Sequence, residues 1–274
     1  MWTTLAFALA LSLTAADEDK LSLTNVRTTY GVLGQARPDT KYLPGDQFHI
    51  SFDIDGLKPD ESGKVLYAIA MEVTNGKGKV LFKQEPQAHE AVNSLGGNTL
   101  PAFASLRIGL DEPPGDYKVK ITVTDRATRA TGTLTRSYTV LRPKFGVVRL
   151  STTSDPAGDI PAPLLGAGQT LWLNFATVGF ARDKKTGQPN LGVVLRIRDE
   201  KGKPTLAKPE TGAVTKDVPK KNRAVPMQFM VELNRPGKFT VELNVTDKVA
   251  RKTATVTVPL QVWKIGKQKE EGRE

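Results

Sequence analysis

The chain has 274 residues, 39% of them hydrophobic and 25% charged, a composition that argues against intrinsic disorder and leaves room for two domains of roughly 120 residues. It has no cysteine, which excludes disulfides, thiolate catalysis, Cys-ligated zinc and a lipid-modified N-terminal Cys. Lys and Arg outnumber Asp and Glu by 39 to 29, a formal net charge of +10, so an acidic partner is the first ligand class to consider.

The N-terminal stretch "MWTTLAFALALSLTAADEDK" carries an apolar run, Leu5 to Leu13, then the small residues Thr14, Ala15 and Ala16, then charge. This layout predicts a signal peptide over residues 1–16. The run is shorter than the roughly 20 residues a bilayer span needs, and no later stretch is apolar enough, so no transmembrane segment is expected in the mature chain. The expected location is outside the cytoplasm: periplasm, cell surface or extracellular space. A cysteine-free exported chain suits a bacterial envelope.

Beyond this point the chain is written twice. "YLPGDQFHISFDIDGL" (Tyr42–Leu57) matches "LGAGQTLWLNFATVGF" (Leu165–Phe180), and "AIAMEVTNGKGKVLF" (Ala68–Phe82) matches "GVVLRIRDEKGKPTL" (Gly192–Leu206). "PAFASLRIGL" from Pro101 matches "AVPMQFMVEL" from Ala224, and "PPGDYKVKITVTDRATRA" from Pro113 matches "RPGKFTVELNVTDKVARK" from Arg235. An offset of 122 to 124 residues predicts tandem domains, because solenoid units repeat every 20–50 residues or so. The matched segments alternate with period two, as half-buried strands do. Phe48, Ile50, Phe52 and Ile54 share a face, as do Leu171, Leu173 and Phe175. The set Tyr117, Val119, Ile121 and Val123 corresponds to Phe239, Val241, Leu243 and Val245. "NGKG" at Asn75 and "DEKG" at Asp199 predict hairpins. The expected domains are 17–142 and 143–263, joined through "RPK" (Arg142–Lys144), with a polar tail over 264–274.

"YLPGDQFHISFDI" and "PPGDYKVKITVTD" resemble strands of immunoglobulin-like modules, of the macroglobulin-like and fibronectin-type-III-like variety found in secreted bacterial proteins. The resemblance implies an all-β fold of two tandem antiparallel immunoglobulin-like β-sandwiches. It also implies a Tyr that opens a late strand and bonds back across the sheet corner. Tyr117 fits this role; the second copy has Phe239, which lacks the hydroxyl. Members of such families adhere, scaffold, present enzymes or bind glycans, so the fold does not select a function.

Catalytic signals are sparse. His49 and His89 are the only histidines; His49 is expected on the solvent side of its strand, and "QAHEAVN" lacks the second His of a zinc-protease motif. No G-x-S-x-G, S-x-x-K or P-loop occurs. "DIDGLKPDESG" (Asp53–Gly63) lacks the closing ligands of a calcium loop and reads as an Asp/Gly turn. No enzyme activity, metal or cofactor is expected.

Charge is the informative feature. Residues 17–142 carry 16 basic and 16 acidic side chains, whereas residues 143–263 carry 19 and 10. Two copies of one fold do not both need that charge. Arg196 and Arg198 alternate with Leu195 and Ile197 and so share a strand face; Lys201 and Lys203 continue around the hairpin, and Lys184 and Lys185 lie in a loop. These six form the candidate anionic-ligand surface, whose expected partner is an acidic polysaccharide, an anionic envelope surface or an acidic protein. Nucleic acid is not expected, because the basic residues lack interleaved aromatics for base stacking. Trp172, between core-facing Leu171 and Leu173, is expected to point outward, under the other module or in a binding patch. The functional expectation is an exported non-enzymatic binding or structural module. The alternatives are a passive spacer in an envelope complex and, remotely, a hydrolase with an unmarked carboxylate pair.

Overall fold

The computed structural model describes residues 20–265, and every regular element among them is a β-strand. The expected signal segment, residues 1–16, lies outside the described residues, as do residues 266–274 of the expected tail. The first eight strands are β1 (Ser22–Thr28), β2 (Lys41–Tyr42), β3 (Gln47–Asp55), β4 (Lys64–Asn75), β5 (Val80–Val92), β6 (Thr99–Arg107), β7 (Gly115–Asp125) and β8 (Thr131–Val140). They form a three-stranded sheet, β1-β3-β6, and a five-stranded sheet, β2-β8-β7-β4-β5. Strands β9 (Gly146–Thr153), β10 (Leu165–Gly166), β11 (Thr170–Val178), β12 (Leu191–Asp199), β13 (Glu210–Val214), β14 (Ala224–Glu232), β15 (Gly237–Asp247) and β16 (Lys252–Trp263) repeat the pattern as β9-β11-β14 and β10-β16-β15-β12-β13. All pairings are antiparallel except the two-residue parallel pairs β2–β8 and β10–β16.

The period-two faces predicted from sequence are the inner faces of two sandwiches. Phe48, Ile50, Phe52 and Ile54 of β3 pack in one core with Val119, Ile121 and Val123 of β7. Leu171, Leu173 and Phe175 of β11 pack in the other with Val241, Leu243 and Val245 of β15. Each large apolar side chain buried this way contributes roughly 1.5–3 kcal/mol, and with no disulfide these cores carry the stability.

Local chemistry explains why the repeated lines stay alike. The carboxamide oxygen Oδ1 of Asn75 accepts from the Lys77 and Lys79 amides, and Asp199 Oδ1 accepts from those of Lys201 and Lys203, which closes both predicted hairpins with the same side-chain turn. The Asp of each "VTD" is buried. Asp125 accepts from the Lys58, Ala127 and Thr128 amides, and Asp247 from those of Ala181, Val249 and Ala250. Each carboxylate thus pins the β7–β8 or β15–β16 turn to the loop that follows β3 or β11.

The corner differs as the sequence predicts. Tyr117 Oη donates to the Pro113 carbonyl at 2.6 Å, and burial, with Glu112 nearby, pushes its phenol up to about 12. Phe239 instead packs beneath the Arg235 guanidinium, 4.8 Å from its ring centroid. Tyr117→Phe removes the bond to the Pro113 carbonyl and is expected to destabilise the chain by about 1 kcal/mol in urea unfolding; an unchanged midpoint would mean that the corner bond contributes nothing.

Candidate functional site

The six sequence-predicted basic residues fall into two groups. Arg196 and Arg198 do share the outer face of β12, opposite Glu242 and Thr240 of β15. Arg198 is not a free cation: its Nε donates to Glu242 Oε2 at 3.1 Å and its Nη1 to the Gly202 carbonyl at 3.3 Å. Lys201 and Lys203 are exposed on the adjoining hairpin. Lys184 and Lys185 are exposed in the loop that enters β12 from its other end. The nine residues of β12 span about 26 Å at 3.3 Å per residue, with the Lys184–Lys185 loop before its start and the Lys201–Lys203 hairpin after its end.

The loop group lies beside the junction between the sandwiches, which the sequence had reduced to a short linker. A segment of the first sandwich, between β1 and β2, reaches into the second. Tyr30 is only 3% exposed and belongs to the second core, and its hydroxyl donates to the Thr257 carbonyl at 3.2 Å. Gly31 has φ +81°, and a Cβ there would stand 2.7 Å from Ser151 Cβ, so glycine permits both the turn and the approach. Leu43 packs with Val148, Ala176 and Val178 in a third apolar cluster, against Leu110, Leu141 and Ala224.

An ion pair lies within this contact. Asp46, 3% exposed, accepts from Arg37 Nη1 at 3.0 Å, from its neighbour's amide, Gln47 N, at 2.9 Å and from Arg149 N at 2.7 Å. Arg149, on β9, also donates from Nε to the Gly45 carbonyl at 2.9 Å. Arg37 lies over the Tyr42 ring at 3.9 Å, donates to the Lys41 carbonyl and approaches Asp39 at 3.4 Å. Burial opposes its charge, but Asp46, Tyr42 and Asp39 outweigh burial and hold its pKa above the ordinary arginine value. On the exposed rim, both oxygens of Asp111 accept from Arg223, at 2.7 and 2.8 Å.

Between these contacts opens a cleft of about 270 Å³ lined by both sandwiches. Pro44, Leu110, Val178 and Phe180 supply apolar wall, and Lys144, Arg182, Lys220 and Arg223 supply charge. Among the described residues no carboxylate lines it. Arg182 is fixed by four carbonyls, those of Gly187, Val218, Pro219 and Asn222. Gly179, φ +67°, forms part of the lining; a Cβ there would meet the Lys144 carbonyl oxygen at 2.5 Å. Sequence reasoning missed this cleft, because its cations come from three separate segments.

One single-residue expectation needs correction, and a second is narrowed. His49 is not on a solvent face: it is 7% exposed, with Nδ1 2.7 Å from Ser105 Oγ. The segment bearing Thr29, whose amide donates to the His49 carbonyl, runs alongside that strand. Trp172 is half-buried, opposite Met230 and Thr153, but the interdomain cover falls on Ala176 and Val178 of the same strand. Three of the four carboxylates of "DIDGLKPDESG" are engaged locally: Asp53 accepts from Asn25, Asp55 from Thr24 and Thr99, and Asp60 from the Ser62 and Lys64 amides. Among the described residues no helix is long and apolar enough to cross a membrane, which leaves β-barrels unaddressed.

No protein-family model and no curated protein matches the chain. Solved structures that resemble it include a family 123 glycoside hydrolase from Clostridium perfringens, at 15% identity over 37% of this chain and 22% of that one, with a TM-score of 0.29. The Streptococcus agalactiae AgI/II polypeptide BspA C terminal domain is similar at 9% identity over 88% of this chain and 99% of that one, TM-score 0.28. A Bacteroides uniformis β-glucuronidase is similar at 10% identity over 79% of this chain and 26% of that one, TM-score 0.36. The chain thus spans about a quarter of each of these two hydrolases and nearly all of the BspA domain. At these scores none carries an argument about function, and the fold is read from the sheets themselves.

Two predictions follow from the junction. Asp46→Asn removes the buried partner of the Arg37 cation and leaves it only the half-exposed Asp39, and breaking a buried pair costs about 3–5 kcal/mol. Urea unfolding is expected to register that loss, and a change below about 1 kcal/mol would place the pair among ineffectual surface bridges. Burial, then the Arg37 charge, lowers the His49 pKa to about 4, against about 6.5 in the unfolded chain. The unfolded state therefore binds the extra proton first. His49 contributes full stability above about pH 6.5 and loses it as pH falls towards 4, on the order of 3 kcal/mol in all. His49→Gln is expected to flatten the dependence of the urea midpoint on pH across that window; an unaltered slope would show that His49 is not its source.

Proposed function

We propose that this chain is an exported, non-enzymatic binding module of the cell envelope or extracellular space, whose second sandwich attracts an acidic polymer or protein. One observation carries the reading. Lys184, Lys185, Lys201, Lys203, Lys216, Lys220 and Lys221 are all exposed, and none forms an ion pair among the described residues. The same fold in the first sandwich carries no net charge, so the excess is not a requirement of folding. Cations held without an ion-paired partner raise the local concentration and the association rate of an anionic partner. The working units are residues 17–142 and 143–263, and they act together. Strand order, with three strands facing a longer sheet whose short edge pair is parallel, and the Tyr117 corner support the immunoglobulin-like assignment.

The alternative, a passive spacer, is supported by the locked junction, which would hold two attachment points at a fixed distance. The deciding experiment uses the whole chain, since a cut after residue 142 would remove Tyr30 from the second core. One variant reverses Arg196, Lys201, Lys203, Lys184 and Lys185 to Glu; Arg198 is left intact because Glu242 holds it. The control reverses Lys58, Lys77, Lys79, Lys118 and Lys120, exposed on the first sandwich, and has the same net charge. On an immobilised acidic polysaccharide the first variant is expected to elute at lower salt than the control. Co-elution would reduce the effect to net charge and leave the spacer reading in place.

A further inference from the structure

We infer that the cleft between the sandwiches is a binding site for one carboxylated sugar residue of an acidic polysaccharide. This inference rests on the binding reading above and specifies its ligand. The walls divide by chemistry. Pro44, Leu110, Val178 and Phe180 offer apolar surface to the C–H face of a sugar ring, and the cations stand around it. Their roles differ. Arg182 spends its guanidinium on four carbonyls, and Arg223 is held by Asp111, so both are fixed walls. Lys144 and Lys220 have no hydrogen-bonded or ionic partner among the described residues and keep their ammonium groups for a ligand.

Three nearby acids already have partners. Asp111 is paired with Arg223, Asp183 accepts from the Lys185 and Thr186 amides, and Asp247 is buried beneath Ala181. At about 270 Å³ the volume lies just below the roughly 300–1,000 Å³ of sites for drug-sized molecules, which suits a single ring and not a folded partner. The ring must leave at both ends for the polymer to continue, and the cleft is open to the surface. Pro44 and Leu110 come from the first sandwich and Lys220 from the second, so the site exists only while the junction holds. Lys184 and Lys185 flank it, in the loop whose Gly187 lies under the Lys220 stem, and can meet the next charged residue of the polymer.

The test is calorimetric titration of the whole chain with a trigalacturonate, with a neutral trisaccharide and inorganic phosphate as comparators. Trigalacturonate is expected to bind more tightly than either comparator. The Lys144→Glu/Lys220→Glu variant is expected to lose at least about ten-fold in affinity with an unchanged thermal midpoint, both side chains being exposed. Lys144→Gln/Lys220→Gln guards against misfolding of the reversal and should show the same direction with a smaller loss. The Arg196→Glu/Lys201→Glu/Lys203→Glu variant, changed toward and beyond the far end of β12, should retain trimer affinity. Wild-type affinity in both cleft variants would overturn the cleft site while leaving polymer retention by the second sandwich intact. Equal or tighter binding of phosphate would overturn the sugar assignment. Absence of both trimer binding and polymer retention would overturn the cleft and the binding reading together.

Discussion

The structure turns on a buried ion pair, Arg37 with Asp46, that belongs by sequence to the first sandwich and works at the contact with the second. Asp46 takes the Arg149 amide from β9 in the same grip as the Arg37 guanidinium. Two charges removed from water are tolerable only when each finds compensation, and here compensation requires both sandwiches. The pair fixes the chain that leads from Tyr30 to Tyr42. Tyr42 in turn packs on Phe48 and Tyr138, ring centroids 5.5 and 5.9 Å away. A single electrostatic constraint thus connects the first core, the junction and the Tyr30 anchor in the second core.

That constraint gives the charge asymmetry its meaning. Net charge on a flexible tandem would act as a diffuse cloud, screened beyond about 10 Å at ordinary salt. Fixed against a neutral first sandwich, the cations of the second keep defined positions, and those of the loop side stand over a cleft that neither sandwich forms alone. The hairpin group is looser in its logic: Arg198 is committed to Glu242, so Arg196, Lys201 and Lys203 remain as a rim that can add long-range attraction without shaping a site.

Much of the fold was legible in the sequence because its causes are local. Alternation in "FHISFDI" and "YKVKITV" dictates which side chains enter a core, and Asn75 and Asp199 close hairpins with their own side chains. Strand β1 was not visible: its "SLTNVRT" reads as intermediate and exposed residues without a clean alternation. The junction was invisible for a different reason. Tyr30 and Asp46 act on residues more than 100 positions away, and nothing in their own neighbourhood marks them. His49 misled because its strand alternates as a surface strand would, while the segment that bears Thr29 runs alongside it. Of the candidate site, the charge excess and the face shared by Arg196 and Arg198 were readable. The pairing of Arg198 and the convergence of Lys144, Arg182, Lys220 and Arg223 depend on tertiary placement.

If the buried electrostatic joint couples the sandwiches, the two unfold as one cooperative body. Differential scanning calorimetry of the wild-type chain tests it most directly, by comparing the van't Hoff enthalpy with the calorimetric one. A single transition in which the two enthalpies agree is expected. Two resolved transitions, or a van't Hoff enthalpy near half the calorimetric value, would contradict it and return the chain to two modules on a tether.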